Sequence, residues 1–185
     1  MTGFWDRTPV VAQLKQYFMK SLKPTKIYTF GDYYKDGLQN FCHMIKHTVE
    51  YDDIISILFA ETFADQIPDN TVFIPIPDNM QSFSWQIIRR LKEKNKSFRL
   101  ASVLCKNGFE HLYDLKKRLD RPVELTDVDL FRTSDPLDAE NIVIVDDVIG
   151  TGAIIAKAIQ LIGKPCQAMC VAVDWNTFNS YNWYE

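Results

Sequence analysis

Two adjacent carboxylates, Asp146 and Asp147, follow the apolar run IVIV at residues 142–145 and precede the turn Gly150-Thr151-Gly152. The order of residue types has a chemical reading. Neighbouring side chains at the end of an extended strand project to opposite sides. Carboxylates so placed can hydrogen-bond the vicinal hydroxyls of a sugar or hold Mg²⁺ through water. Gly150 and Gly152 permit backbone geometries closed to residues with a Cβ, and Thr151 offers a hydroxyl. A helix beginning directly after the turn would aim its unpaired first-turn N–H groups and the positive end of its dipole into it. A phosphate monoester suits such a turn. Phosphate at one end and a diol at the other describe a ribose 5-phosphate. The plainer alternative is an ordinary strand-to-helix turn with acids at the surface. The coincidence of strand, paired acids, Gly-Thr-Gly and helix on so few residues favours the ligand site.

Several elements must position this turn. Residues 142–145 lack polar alternation and predict a strand covered on both faces. Residues 152–162 predict a helix, stopped by Gly163-Lys164-Pro165, and 168–173 a further strand. Upstream, TVFIPIP (71–77) predicts a short buried strand running into prolines that cannot continue it. A helix beginning at Ser82 or Ser84 and reaching about Lys94 follows, then a strand over 98–104. Before these, Thr8-Pro9 opens a helix that Lys23-Pro24 ends. A β-like run covers 27–30, and Leu38, Phe41, Cys42, Ile45 and Val49 share one helical face. Asp52-Asp53 opens another helix, with Ile54, Ile55, Leu58, Phe59 and Phe63 as its apolar stripe. Residues 106–140 carry two prolines, many charges and no sustained period. A connection of that length suits a lid or binding loop. This order predicts an α/β fold with a doubly wound, mainly parallel sheet, whose ligands bind beyond the carboxyl ends of the strands. The candidate loops there are 75–81 and 146–154.

The chain has 185 residues, 46% hydrophobic, which suits one domain over 1–185. It divides into N-terminal helices and a hairpin (1–66), a core (71–174) and an aromatic tail (175–185). A net charge of −3 argues against a surface that attracts nucleic acid everywhere. No apolar run approaches a membrane span, and the N-terminus lacks a basic region followed by an apolar one, so the expectation is a cytoplasmic protein with no membrane partner. Cys42, Cys105, Cys166 and Cys170 are scattered without a framework and read as reduced thiols. Cys42, His43 and His47 could suggest a metal, but a plain helix face is the better reading. Lys116, Lys117, Arg118 and Arg121 form the densest basic cluster, equally compatible with contact to a phosphate backbone and with solvation. The tail residues Trp175, Phe178, Tyr181, Trp183 and Tyr184 could stack a base, though packing on the core or on a second subunit of a homodimer is simpler.

At Asp146-Asp147 and the following turn the chain resembles the type I phosphoribosyltransferases, whose signature is an apolar strand, two acids, two apolar residues and a Thr-Thr-Gly-x-Thr type loop. The resemblance implies that Asp146 and Asp147 bind the ribose hydroxyls of phosphoribosyl pyrophosphate (PRPP) at the catalytic centre. Mg²⁺ would be held there through water or those hydroxyls. Val148, Ile149, Gly150, Thr151, Gly152, Ala153 and Ile154 would wrap the 5-phosphate. Pro75, Ile76, Pro77, Asp78 and Asn79 would form the pyrophosphate loop, and Lys116, Lys117 and Arg118 could close over it. The implied ligand is PRPP or a nucleoside monophosphate. The implied activity is transfer of the 5-phosphoribosyl group to a base with release of pyrophosphate. Upstream, IYTFGDYYKDGLQNFCHMIKH, a helix and a strand ending in FIPIP are similar in order to the ComF family of phosphoribosyltransferase-like proteins, known from DNA uptake. That likeness implies an alternative, a non-catalytic module binding nucleic acid or protein. The chain departs from the family patterns at three places. Gly150 stands where a small hydroxyl residue or a base-reading acid is common, Ile154 where a hydroxyl residue normally donates to the phosphate, and no basic residue occurs over 78–85.

Overall fold

The computed structural model describes residues 20–47, 49–77, 83–108, 115 and 117–184. The helix expected to open at Thr8-Pro9 falls largely outside them. The first strands are β1 (Ile27–Tyr28), β2 (Gly31–Asp32), β3 (Val72–Pro75), β4 (Arg99–Leu100) and β5 (Leu104–Cys105). The later ones are β6 (Phe131–Arg132), β7 (Ile142–Val145), β8 (Val148–Ile149), β9 (Gln167–Met169) and β10 (Ala172–Val173). The helices are α1 (Leu38–His47), α2 (Val49–Phe63), α3 (Phe83–Lys94), α4 (Ala153–Ile162) and α5 (Trp175–Ser180).

Five strands pair in parallel in the order β1-β9-β7-β3-β4. All four residues of β7 are buried, and alternate side chains serve different cores. Ile142 and Ile144 pack with Ala156, Ile159 and other residues of α4. Val143 and Val145 pack on the other side with Phe59 of α2 and Ile87 of α3. In β3, Val72 and Ile74 face the first core and Phe73 the second. Helices thus cover both faces, which is why these strands carry no polar alternation. The crossover through α3 carries the chain from β3 to β4 at one edge. That through α4 carries it from β7 to β9, towards the other. The winding therefore reverses between β3 and β7, and their carboxyl ends flank the crevice where such sheets bind ligands.

Several details differ from expectation. The strand expected over 98–104 is two short ones, β4 and β5, in different sheets, and the helix expected to open at Asp52-Asp53 begins at Val49. Residues 27–32, read as part of an N-terminal addition, are built into the sheet as its edge, parallel to the strand from 167 onward. The central strand also does not stop at Val145. It breaks for two residues and resumes as β8, which joins a second parallel set in the order β2-β10-β8. Neighbouring chains break in step at 29–30 and 170–171. Hydrogen bonds from Asp146 N–H to Met169 O (3.0 Å), Val171 N–H to Asp147 O (2.9 Å) and Phe30 N–H to Val171 O (3.1 Å) stitch across the gap.

Much of the connection over 106–140 packs against the protein. β5 and β6 pair antiparallel, and Val123, Val128 and Leu130 are buried in the core that contains α4. Among the described residues, no helix is long and apolar enough to cross a membrane.

Candidate functional site

The paired acids are themselves part of the break in the central strand. Asp146 Oδ1 accepts the N–H of Asp147 at 2.9 Å, and Asp147 Oδ1 accepts the N–H of Val148 at 2.7 Å. Short acidic side chains compete for nearby backbone amides in this way and favour turns over regular ladders. Both aspartates are half-buried. The first loop leaves the sheet beside them: Pro75 pairs with Val145, and Ile76 N–H donates to Val145 O at 2.9 Å. The structure thus brings Pro75 and Ile76 alongside Val145, the residue before Asp146, and Pro77 follows them; none of the three borders the cavity at the start of α4. Asp78 and Asn79 lie outside the described residues.

β8 then delivers the Gly-Thr-Gly turn to the start of α4. Gly152 has φ +77°, a left-handed geometry, and a Cβ there would lie 2.7 Å from the Phe178 ring. Glycine is therefore required at 152 by backbone and by space alike. Gly150 has no such requirement, since a Cβ on it would meet nothing within 4 Å. Thr151 is buried, and its Oγ1 accepts the N–H of Ala153 at 3.2 Å. The intrahelical ladder begins with Ala156 N–H to Gly152 O at 2.8 Å. A helix leaves its first-turn amides without intrahelical partners, so those of Ile154 and Ile155 stand at the open end.

A cavity of about 370 Å³ opens at this point. Residues 150–155 border it, with Asp146, Tyr33, Tyr34, Asp174 and Thr177; Asp147 does not. Val148 and Ile149 also border it. The cavity lies beyond the carboxyl ends of β2, β8 and β10, the three strands that resume after the break.

Tyr33, Tyr34, Asp174 and Thr177 were not among the sequence candidates. The tyrosines sit on the turn after β2, which buried Asp32 organises by accepting the N–H groups of Tyr34 (2.9 Å) and Lys35 (2.8 Å). The Lys35 amide, opposed by desolvation and aided by that of Tyr34, holds the Asp32 carboxyl below its ordinary value. Asp174 caps α5 by accepting the N–H of Thr177 at 3.1 Å, and its own N–H donates to Ile149 O at 2.9 Å. The Gly-Asp-Tyr-Tyr-Lys-Asp-Gly punctuation and the Asp-x-x-Thr cap were the available signals for these turns.

The aromatic tail packs beneath the loop. Phe178 and Trp183 are buried, Trp183 Nε1 donates to Thr151 O at 2.9 Å, and Tyr181 stacks on Trp183 with ring centroids 5.2 Å apart. Cys166 and Cys170 are buried in one core. Desolvation pushes the Cys170 thiol far up, opposed by a hydrogen bond to Thr29 and assisted by the charges of Asp146 and Asp147.

Among the described residues, no Lys or Arg borders the cavity, and no group of three or more His, Cys, Asp and Glu could hold a metal. Mg²⁺ could draw protein ligands from Asp146 and Asp147, with its other positions filled by water or ligand oxygens. Cys42 is buried and His43 exposed, so the two face different surroundings. Lys117 and Arg118 are exposed and do not border the cavity, while Lys116 lies outside the described residues. The chain matches no protein-family model and no curated protein.

Proposed function

We propose that this cavity binds the ribose 5-phosphate portion of PRPP or of a nucleoside 5-monophosphate with Mg²⁺, on a type I phosphoribosyltransferase-like fold. One observation carries the reading: Asp146 and the first turn of α4 border the same cavity of about 370 Å³. The amides of the turn and the positive end of the helix dipole suit the phosphate, and the carboxylate suits the ribose hydroxyls. Two carboxylates, Asp146 and Asp174, and no basic side chain border the cavity among the described residues. A phosphorylated ligand there gains from a divalent ion that offsets its charge, and Asp146 together with ligand oxygens and water suits the way Mg²⁺ binds. Mg²⁺ would supply charge neutralisation of the phosphates.

As an enzyme, the protein would transfer the 5-phosphoribosyl group to a base. The bond from ribose C1 to pyrophosphate breaks as that to a base nitrogen forms. Asp146 orients the ribose and stabilises the positive charge that develops on it. Calorimetry with PRPP and Mg²⁺ tests the binding: micromolar affinity that falls at least tenfold in Asp146→Asn supports it, and absent or unchanged binding removes it.

The lack of a basic residue among the described residues that border the cavity favours a second reading, a ComF-like module that binds the ligand, nucleic acid or protein without catalysis. Among the described residues, nothing bordering the cavity offers a positive side chain to the leaving pyrophosphate. Pyrophosphate release with a panel of bases separates the two, and turnover with any base ends the non-catalytic reading.

A further inference from the structure

Helix α3 has a face that the site above does not use. Trp85, Arg89 and Lys92 recur at helical spacing, and Lys96 continues their line in the turn that follows. Between this face and the edge strand β4 lies a groove of about 340 Å³, floored by buried Ile88 and half-buried Leu100. Its volume falls within the roughly 300–1,000 Å³ of small-ligand sites. The Trp85 side chain belongs to a residue left 42% exposed on the groove wall, whereas Trp183 is only 8% exposed. Three cations share the groove with one carboxylate, Glu93. That carboxylate is divided between Arg90 (2.8 Å) and Arg89 (3.3 Å), both on α3. No described carboxylate pairs with Lys92 or Lys96.

We propose that this groove is a second binding site, for a nucleoside polyphosphate. An apolar floor and an open indole face suit a planar base, which stacks on an aromatic ring. A guanidinium and two ammonium groups along one side suit a chain of phosphates. An inorganic anion would make no use of the indole, and a neutral aromatic none of the cations. The groove opens on the side of the sheet edge, and none of its bordering residues borders the first cavity. The proposal is therefore independent of what the first cavity binds.

Calorimetry on the full chain with ATP as probe tests it, with inorganic tripolyphosphate and a short oligothymidylate as comparators. ATP affinity is expected to fall at least about tenfold in Trp85→Ala, on the strength of base stacking. It should fall similarly in Lys92→Ala/Lys96→Ala, whose exposed side chains can be removed with little effect on folding. Tripolyphosphate should bind more weakly than ATP and respond only to the lysine variant. ATP binding should persist in Asp146→Asn. Four results would overturn the proposal: no ATP binding; ATP binding unchanged in the lysine variant; tripolyphosphate binding as tightly as ATP; or loss of ATP binding in Asp146→Asn. Oligothymidylate binding tenfold tighter than ATP would overturn it in favour of a nucleic-acid strand.

Discussion

The indole Nε1 of Trp183 donates to the carbonyl of Thr151 at 2.9 Å, fastening the C-terminal tail to the turn that opens α4. Both residues are buried, so this bond has no solvent substitute. Trp183→Phe keeps the ring but leaves the Thr151 carbonyl without its donor. The expected cost is about 1–3 kcal/mol, read from urea unfolding, together with weaker phosphate binding. Unfolding identical to the unaltered protein would show that the tail does not support the turn.

Gly152 and Gly150 should respond differently although only one residue separates them. Gly152→Ala forces a side chain into the left-handed region and against Phe178. A loss of about 1–3 kcal/mol in unfolding free energy is expected. Gly150→Ser meets open space, should leave stability within about 0.5 kcal/mol, and returns a hydroxyl to the loop. Under the proposed function it also tightens phosphate binding, measurable by calorimetry with a nucleoside monophosphate.

Asp146 borders the cavity and Asp147 does not. Asp146→Asn should therefore weaken PRPP binding more than Asp147→Asn, with at least a fivefold difference in Kd. Titrating Mg²⁺ at fixed PRPP provides the check. Equal effects from the two variants would mean that the acids act together and that bordering the cavity does not distinguish them.

Acid should weaken the segment that carries Arg121 and Asp127. The guanidinium of Arg121, first, and the Glu124 amide, second, lower the Asp127 carboxyl to about 2. A depressed carboxylate contributes stability above its unfolded value, near 4, and that contribution is lost as pH falls towards 2. Melting temperatures measured between pH 4.5 and 2.5 should fall less steeply in Asp127→Asn than in the unaltered protein. The difference should be small, because the pair is at the surface.

The thiols should differ in reactivity. Cys42, Cys166 and Cys170 are buried and Cys105 half-buried. Desolvation, opposed by the charge of Lys20, pushes the Cys166 thiol up to about 12. Alkylation at pH 8 followed by mass spectrometry should label Cys105 first. Cys166 and Cys170 should react only as the protein unfolds, because the thiolate is the nucleophile.

Local chemistry determined a good part of this protein. The unalternating IVIV specified a strand covered on both faces, and that is how β7 packs. Gly152 and Gly163, both left-handed, bracket α4 as the punctuation implied. The acids and the Gly-Thr-Gly turn marked the loop that borders the cavity. These features rest on period and on backbone preference, which neighbouring residues carry among themselves. Tertiary structure decided the rest. Tyr33 and Tyr34 reach the cavity only because β2 pairs with β10, far along the chain. Val148–Ile149 continues the strand because Ala172–Val173 lies alongside to pair with it. The tail supports Thr151 from 32 residues away. Periodicity states that a face must be buried; which residues bury it follows from how the sheet is wound and closed.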